Sequence, residues 1–321
     1  MKQFLKKIVL FILFTFLLAY PLDIIISNQL KKSNSYARGE YSVWNDLFEG
    51  KIDSEIVIYG SSRAWVHINP ELLENSFGRS SYNLGIDGHN FRLQYLRHKT
   101  LLKYNIPPKY IILSFDIWSL QKSVELYNSD QFLPYMLNNK DIIDYTSSYI
   151  GFSSLEYDLP LIRYFGNRNA AIQSIKNSTF FFQSKPKRKK GFQGMERSWS
   201  SDLSNAKTKM DFYEAKLDLA YVELFDKFLD ECKQKEIKVI LVYTPEYIEG
   251  QIFVKNRKEV FELYQEFSEK YKLTFLDYSN DKICKQKEYF YNSSHLNKKG
   301  ADIFTKKLIN DLKLREIILT K

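Results

Sequence analysis

The sequence predicts a three-layer α/β/α domain on a parallel sheet of about five strands, preceded by one N-terminal transmembrane helix. Three observations predict it. Short apolar runs of strand type alternate with longer segments of helical spacing. A lysine-led apolar stretch opens the chain. Chemically capable side chains fall just after the strands rather than before them. Strands separated by helices need crossover connections, and these give a parallel sheet covered on both faces.

The anchor comes first. Lys2, Lys6 and Lys7 precede the apolar run 8–22, Asp23 interrupts it, and Ile24 to Ile26 extend it. Such a stretch of roughly 19 residues just spans a bilayer as a helix. Pro21 and Asp23 fall near its outer end, where a polar group costs less. The leading lysines favour a cytoplasmic N-terminus and an exported remainder. A cleaved leader needs small residues in an A-x-A-like pattern. Leu17, Leu18, Ala19, Tyr20 and Pro21 match it poorly. Residues 1–27 therefore read as a retained anchor, and 28–53 as a polar linker with a short helical piece.

The α/β pattern follows. Residues 55–59 (EIVIY) form the first strand, ended by Gly60. Asn69 before Pro70 reads as an N-cap with proline at the first helical position. Residues 81–84 form the second strand, ended by Gly85. Residues 91–104 carry Phe91, Tyr95 and Leu102 at helical spacing, and 110–115 (YIILSF) form the third strand. From 119 to 211 the alternation lapses into a long insertion with a few helices. It resumes with a helix over 213–234, a strand at 239–243, a helix over 259–271 and a fifth strand at 273–276. The last helix follows Asn297 and carries Ala301, Phe304, Leu308 and Leu312 on one face. The catalytic-type domain spans 54–315, with the insertion inside it.

Composition narrows the partners. With 16% aromatic residues among 321, the chain can bury a large core. Its net charge is +9, and Lys2, Lys6, Lys7, Lys31 and Lys32 flank the apolar opening. A second cluster holds Lys185, Lys187, Arg188, Lys189 and Lys190, and reads as a solvated loop. No zinc-finger, helix-turn-helix or RNA-recognition signature accompanies this charge, so no nucleic-acid partner is expected. Anionic lipid or an anionic envelope polymer fits better. Cys232 and Cys284 lie outside any C-x-x-C pair, and sequence alone does not place them within bonding distance.

In open α/β sheets ligands bind at the carboxyl ends of strands. Gly60-Ser61-Ser62-Arg63 follows the first strand, and Asn83 to Asn90 the second. Asp116-Ile117-Trp118 follows the third, and Asn292 to Asn297 lies beyond the fifth. A serine hydroxyl needs a base to accept its proton, and histidine serves near neutral pH. The oxyanion then needs fixed donors, such as backbone N–H groups freed by a glycine turn.

These strings resemble a known family. Gly60-Ser61-Ser62-Arg63 resembles the GDSL block of SGNH hydrolases, with Ser62 at the nucleophile position. Asn83-x-Gly85-x-x-Gly88 resembles the second block, whose glycine N–H joins the oxyanion hole. Asn292-x-x-His295-Leu-Asn-x-x-Gly resembles the last block, with His295 as base. The resemblance covers roughly 54–118 and 236–315. It implies a flavodoxin-like SGNH fold, a catalytic set of Ser62, His295 and Asn292, and an oxyanion hole made by Ser62 and Gly88. Arg63, Asn83 and Asp116 are expected to support the site, with Arg63 and Asp116 paired beneath it. His89 is expected at the cleft rim. No metal or organic cofactor is implied.

The layout also resembles membrane-anchored envelope members of this superfamily, which handle acyl groups on cell-surface polymers. The implied substrate is an acyl ester, acetyl above all, on an envelope glycan, or another small acyl ester. The reaction is hydrolysis or acyl transfer. Two departures stand out. The third block usually supplies an asparagine, whereas this chain reads Ser114 to Trp118. The last block carries Asn292 where the family has aspartate. In a serine protease that exchange costs about 10⁴ in turnover. Asn292→Asp is therefore expected to raise turnover unless another carboxylate, such as Asp277 or Asp302, already serves. The alternative is an inactive SGNH-fold protein serving as a glycan-binding or assembly module.

Overall fold

Five parallel strands form one sheet in the computed structural model: β1 (Ile56–Gly60), β2 (Ser81–Asn83), β3 (Tyr110–Phe115), β4 (Lys238–Tyr243) and β5 (Thr274–Asp277). Their order is β2-β1-β3-β4-β5. Ile56 lies beside Ser81 on one side and Tyr110 on the other, and Val242 lies between Ser114 and Leu276. The apolar runs IVIY, YIIL and VILV suit strands covered on both faces. The order reverses direction at β1, so the ends of β1 and β3 flank the topological switch where ligands bind.

The structure describes residues 1–88, 90–178 and 186–321, which leaves His89 and Lys185 outside the described residues. Helices, in chain order, are α1 (Lys2–Lys31), α2 (Glu40–Phe48), α3 (Ser62–His67), α4 (Pro70–Phe77), α5 (Phe91–Tyr104), α6 (Lys140–Thr146), α7 (Ser154–Asp158), α8 (Arg168–Ser178), α9 (Asp202–Lys209), α10 (Leu219–Gln234), α11 (Ile248–Ile252), α12 (Arg257–Tyr271) and α13 (Lys298–Leu314). Two compact units emerge. One holds Met1–Asn45 and Val124–Lys187, the other Asp46–Ser123 and Arg188–Lys321. Of the insertion expected at 119–211, residues 124–187 fall in the first unit, and 119–123 and 188–211 in the sheet-bearing one.

In that unit, alternate residues of each strand feed two different cores. Ile56, Ile58, Ile112, Ile240 and Val242 pack with Leu73, Phe77, Phe304, Leu308 and Leu312 from α4 and α13. The opposite face is aromatic. Phe91 of α5 meets Phe225 of α10 at 4.9 Å between ring centroids, and Phe115 stacks on Tyr264 of α12 at 4.1 Å. The Phe and Tyr content is thereby used in packing. Asn69 accepts from the Glu71 N–H, Pro70 opens α4, and left-handed Gly78 closes it. The helix expected over 213–234 begins later, at Leu219. Asp218 caps it there, while Tyr213 and Leu217 form extended bridges to Val254 and Gln121.

The other unit is built on α1. This is the described helix long and apolar enough to cross a membrane, a property it shares with signal sequences. Most of it is exposed, but Asp23, Ser27 and Leu30 are buried. Asp23 accepts from Arg163 Nη2 at 2.6 Å and from the Leu161 N–H at 2.7 Å. Asn177 of α8 donates to the Gln29 carbonyl at 2.8 Å. The segment expected as a linker is packed: Tyr41, Val43 and Trp44 are buried, and Trp44 donates to Gln131.

Candidate active site

The turn after β1 requires glycine. Gly60 has φ +139°, and a Cβ there would lie 2.3 Å from the Ser114 carbonyl oxygen. The chain then enters α3, a short helix without a sequence signal. Ser61 caps it, accepting from the Arg63 N–H at 3.3 Å while donating to Asp116 Oδ2 at 2.5 Å. Ser62 is the first helical residue, so its N–H has no partner within the helix. Its Oγ lies 2.7 Å from His295 Nε2.

His295 and its neighbour Ser294 make three contacts to one atom, two of them from His295. Asn292 Oδ1 lies 2.9 Å from its Nδ1 and accepts from the backbone N–H groups of His295 and Ser294. An amide oxygen only accepts, so Nδ1 carries the hydrogen and Nε2 presents a lone pair to Ser62. Asn292 Nδ2 in turn donates to Asp202 Oδ2 at 3.0 Å. Tyr291 stacks on the imidazole, 9° from parallel. Burial, then the nearby Arg63 and Arg197 guanidinium groups, push His295 down to about 3, while Asp202 acts the other way.

A second histidine supports this loop. The Leu296 N–H donates to His67 Nε2 at 2.9 Å. The His67 hydrogen must then sit on Nδ1, which donates to Thr244 Oγ1 at 2.8 Å. Asn83 is a buried clamp. Its Nδ2 donates to the carbonyls of Ala64 and Ile68, and its Oδ1 accepts from the Gly85 N–H. It ties α3 to the loop after β2, which also lies on the nucleophile turn through Ile86 N–H to the Gly60 carbonyl at 2.9 Å.

The expected Arg63–Asp116 pair does not form. Arg63 is buried, lies 4.3 Å over the Tyr243 ring, and donates to the Thr244 carbonyl, with Glu246 at 3.9 Å. Glu246 also accepts from the hydroxyls of Tyr243 and Ser294. Asp116 is taken by Ser61, the Trp118 N–H and Ser119. Each charge finds its own neutralising set. Arg188 also departs from expectation. It is buried 4.3 Å over Trp65 and reaches the Gly85 carbonyl, so it is part of the core rather than a solvated loop. Cys232 and Cys284 are free and buried.

Two clefts adjoin Ser62 and His295. One, of about 350 Å³, is lined by Ser61, Ser62, Gly88, Asn90, Asp116 and Trp118. Gly88 is left-handed, at φ +70°. The other, of about 270 Å³, holds Asp202, Asn292 and His295, and Trp118 and Tyr213 line both. The sequence-predicted Ser62, His295 and Asn292 thus meet, and Gly88 lies in the first cleft. Asp277 and Asp302 are engaged elsewhere, with Ser279 and Asn69. Sequence reasoning missed Asp202, His67, Thr244 and Glu246. Thr244 and Glu246 directly follow β4, the one strand end whose residues were not weighed.

No protein-family model and no curated protein sequence matches the chain. Among solved structures it is similar to a GDSL-like lipase from Bacteroides thetaiotaomicron, at 13% identity and a TM-score of 0.35, covering 84% of this chain and 96% of that one. It is also similar to a lipase/acylhydrolase from Enterococcus faecalis, at 11% identity and a TM-score of 0.38, covering 81% and 95%. At these identities the likeness concerns the fold alone.

Proposed function

We propose that the chain is an SGNH-type serine esterase or O-acyltransferase. It acts on acyl groups, acetyl above all, of a cell-envelope glycan or another small ester. The observation that carries this reading is the 2.7 Å approach of Ser62 Oγ to His295 Nε2, with Nδ1 tied to Asn292. Ser62 Oγ attacks the ester carbonyl as its proton passes to Nε2. The N–H groups of Ser62 and Gly88 receive the oxyanion. Collapse expels the alcohol, which takes the proton from Nε2. Water or a sugar hydroxyl then attacks the acyl-enzyme, giving its proton to His295, and Ser62 leaves with that proton restored. Asp202 steadies the transient imidazolium through the Asn292 amide. The lysine-led α1 supports a single-pass anchor with the domain 54–315 outside the cytoplasm.

Labelling of the full chain by a fluorophosphonate, with turnover of 4-nitrophenyl acetate, tests the reading. Both should occur and both should vanish in Ser62→Ala. Labelling that survives this substitution would place the nucleophile elsewhere. One observation favours a second reading, a non-catalytic glycan-binding or assembly module. Asp116 lines the Ser62 cleft where the family carries an amide donor, and a carboxylate repels an oxyanion. That reading expects no labelling and no turnover, with glycan binding unchanged in Ser62→Ala.

A further inference from the structure

The insertion carries large apolar side chains that its own unit leaves exposed. Phe165 is 91% exposed and Ile162 39%. Their position along α1 gives these residues meaning. The Leu161 N–H donates to Asp23 Oδ2, and Arg163 pairs with Asp23 Oδ1 and reaches Ser27. Asp23 interrupts the apolar stretch between the run 8–22 and its extension Ile24 to Ile26. At 1.5 Å per helical residue, Asp23 lies about 5 Å short of Ile26 along the axis, so its bond to the Leu161 N–H holds that backbone near the outer end of the stretch. Residues 162–164 form one 3₁₀ turn, which keeps Phe165 within about 8 Å of that level.

The direction of α8 agrees. Ser174 reaches the Ile26 carbonyl and Asn177 that of Gln29, so α8 runs beside α1 in the same sense. Its N-terminal end, next to Phe165 and Gly166, is the end nearest the apolar run. The headgroup zone on each side of a bilayer is about 5–8 Å deep. The exposed Ile162 and Phe165 thus sit at its depth, continuous with the helix that enters the hydrocarbon.

We propose that the 160–166 turn is a membrane-contact loop. Ile162 and Phe165 insert into the interfacial layer of the leaflet from which the C-terminal end of the span emerges. The buried Asp23–Arg163 pair fixes the loop at that depth. This rests on the anchored reading of α1 proposed above. The occupant is lipid, since the apolar surface is continuous with a segment whose only solvent of that kind is the bilayer.

The test uses the full chain reconstituted in phosphatidylcholine–phosphatidylglycerol vesicles. Both native cysteines are buried, so one introduced surface cysteine takes a polarity-sensitive fluorophore selectively. The variants are Phe165→Cys, Ile162→Cys, Ile12→Cys in the span, and Lys32→Cys. Lys32 is the exposed C-cap of α1, about 14 Å beyond Asp23 along the helix axis. Lipids carry a nitroxide near the headgroup or near the chain end. Probes at 165 and 162 should be quenched at least twofold more by the shallow label than a probe at 32. The probe at 12 should respond most to the deep label. If 12 responds and 165 behaves like 32, the loop proposal falls alone. If 12 does not respond, the anchor reading falls and takes this proposal with it.

Discussion

At the scale of single residues, Asn292 is the position that most divides an active from an inactive site. Its Oδ1 fixes the His295 tautomer, while its Nδ2 faces Asp202 at 3.0 Å. Sequence alone predicts that Asn292→Asp raises turnover, because a carboxylate stabilises imidazolium where an amide does not. The structure changes this expectation. The new carboxylate would face Asp202, and two carboxylates at that distance cannot both ionise freely. We therefore expect Asn292→Asp alone to leave 4-nitrophenyl acetate turnover within about threefold of the parent, or lower. Asn292→Asp with Asp202→Asn reverses the donor and acceptor and removes the repulsion. It should raise kcat at least about tenfold over the single variant, a modest part of the 10⁴ seen for a protease triad. Equal rates for single and double variants would show that Asp202 does not couple to the histidine.

At the scale of elements, the site depends on a clamp rather than on the strands themselves. Asn83 bonds α3 and the β2 loop at once, and it is wholly buried. Asn83→Ala should cost about 2–4 kcal/mol, since the Ile68 carbonyl and the Gly85 N–H lose this partner in a dry site and the Ala64 carbonyl keeps only the Ile68 N–H. Asn83→Asp is almost isosteric and keeps the acceptor for Gly85. It should nevertheless be at least as damaging, because a carboxylate oxygen would oppose the Ala64 and Ile68 carbonyls. Urea midpoints at unchanged slope measure both, and a tolerated Asp would refute the donor role. The strands were legible because IVIY, YIIL and VILV are continuous β-branched or apolar runs. So were α4 and α13, through Asn69-Pro70 and the one-sided stripe after Asn297. The six residues of α3 show no periodicity and could not be read. The motif partners of Ser62 were legible because they sit in short local strings. Asp202 was not, for it meets Asn292 across 90 residues from within a stretch that shows no alternation.

At the scale of the molecule, two units with different cores share one chain, and the sheet-bearing unit keeps His67, His98 and His295 neutral near pH 7. His67 is fully buried, and its Nε2 already accepts from the Leu296 N–H. A proton there would set donor against donor, so burial and this geometry both hold its pKa well below the usual value. His98 is fully buried against the Phe228 ring, and its Nδ1 meets the Tyr59 hydroxyl. Burial, then Lys99 and Lys235, hold it at about 3. In the unfolded chain both titrate near about 6.5. Below that value the unfolded state binds protons that the folded state refuses, so stability is complete above about pH 6.5 and falls as the pH is lowered. Each histidine contributes at most about 1.4 kcal/mol per pH unit, or about 2 kcal/mol between pH 7 and 5. With His295, also held at about 3, they should lower the unfolding free energy by up to about 6 kcal/mol over that interval, before most carboxylates titrate. The measurement is urea unfolding of the full chain in detergent at pH 7, 6 and 5, followed by tryptophan fluorescence. His98→Gln removes one titrating group and should remove about a third of the drop. A parent chain equally stable at pH 7 and 5 would mean that these rings are protonated in place, against their burial and, at His67, against the Leu296 N–H that faces Nε2.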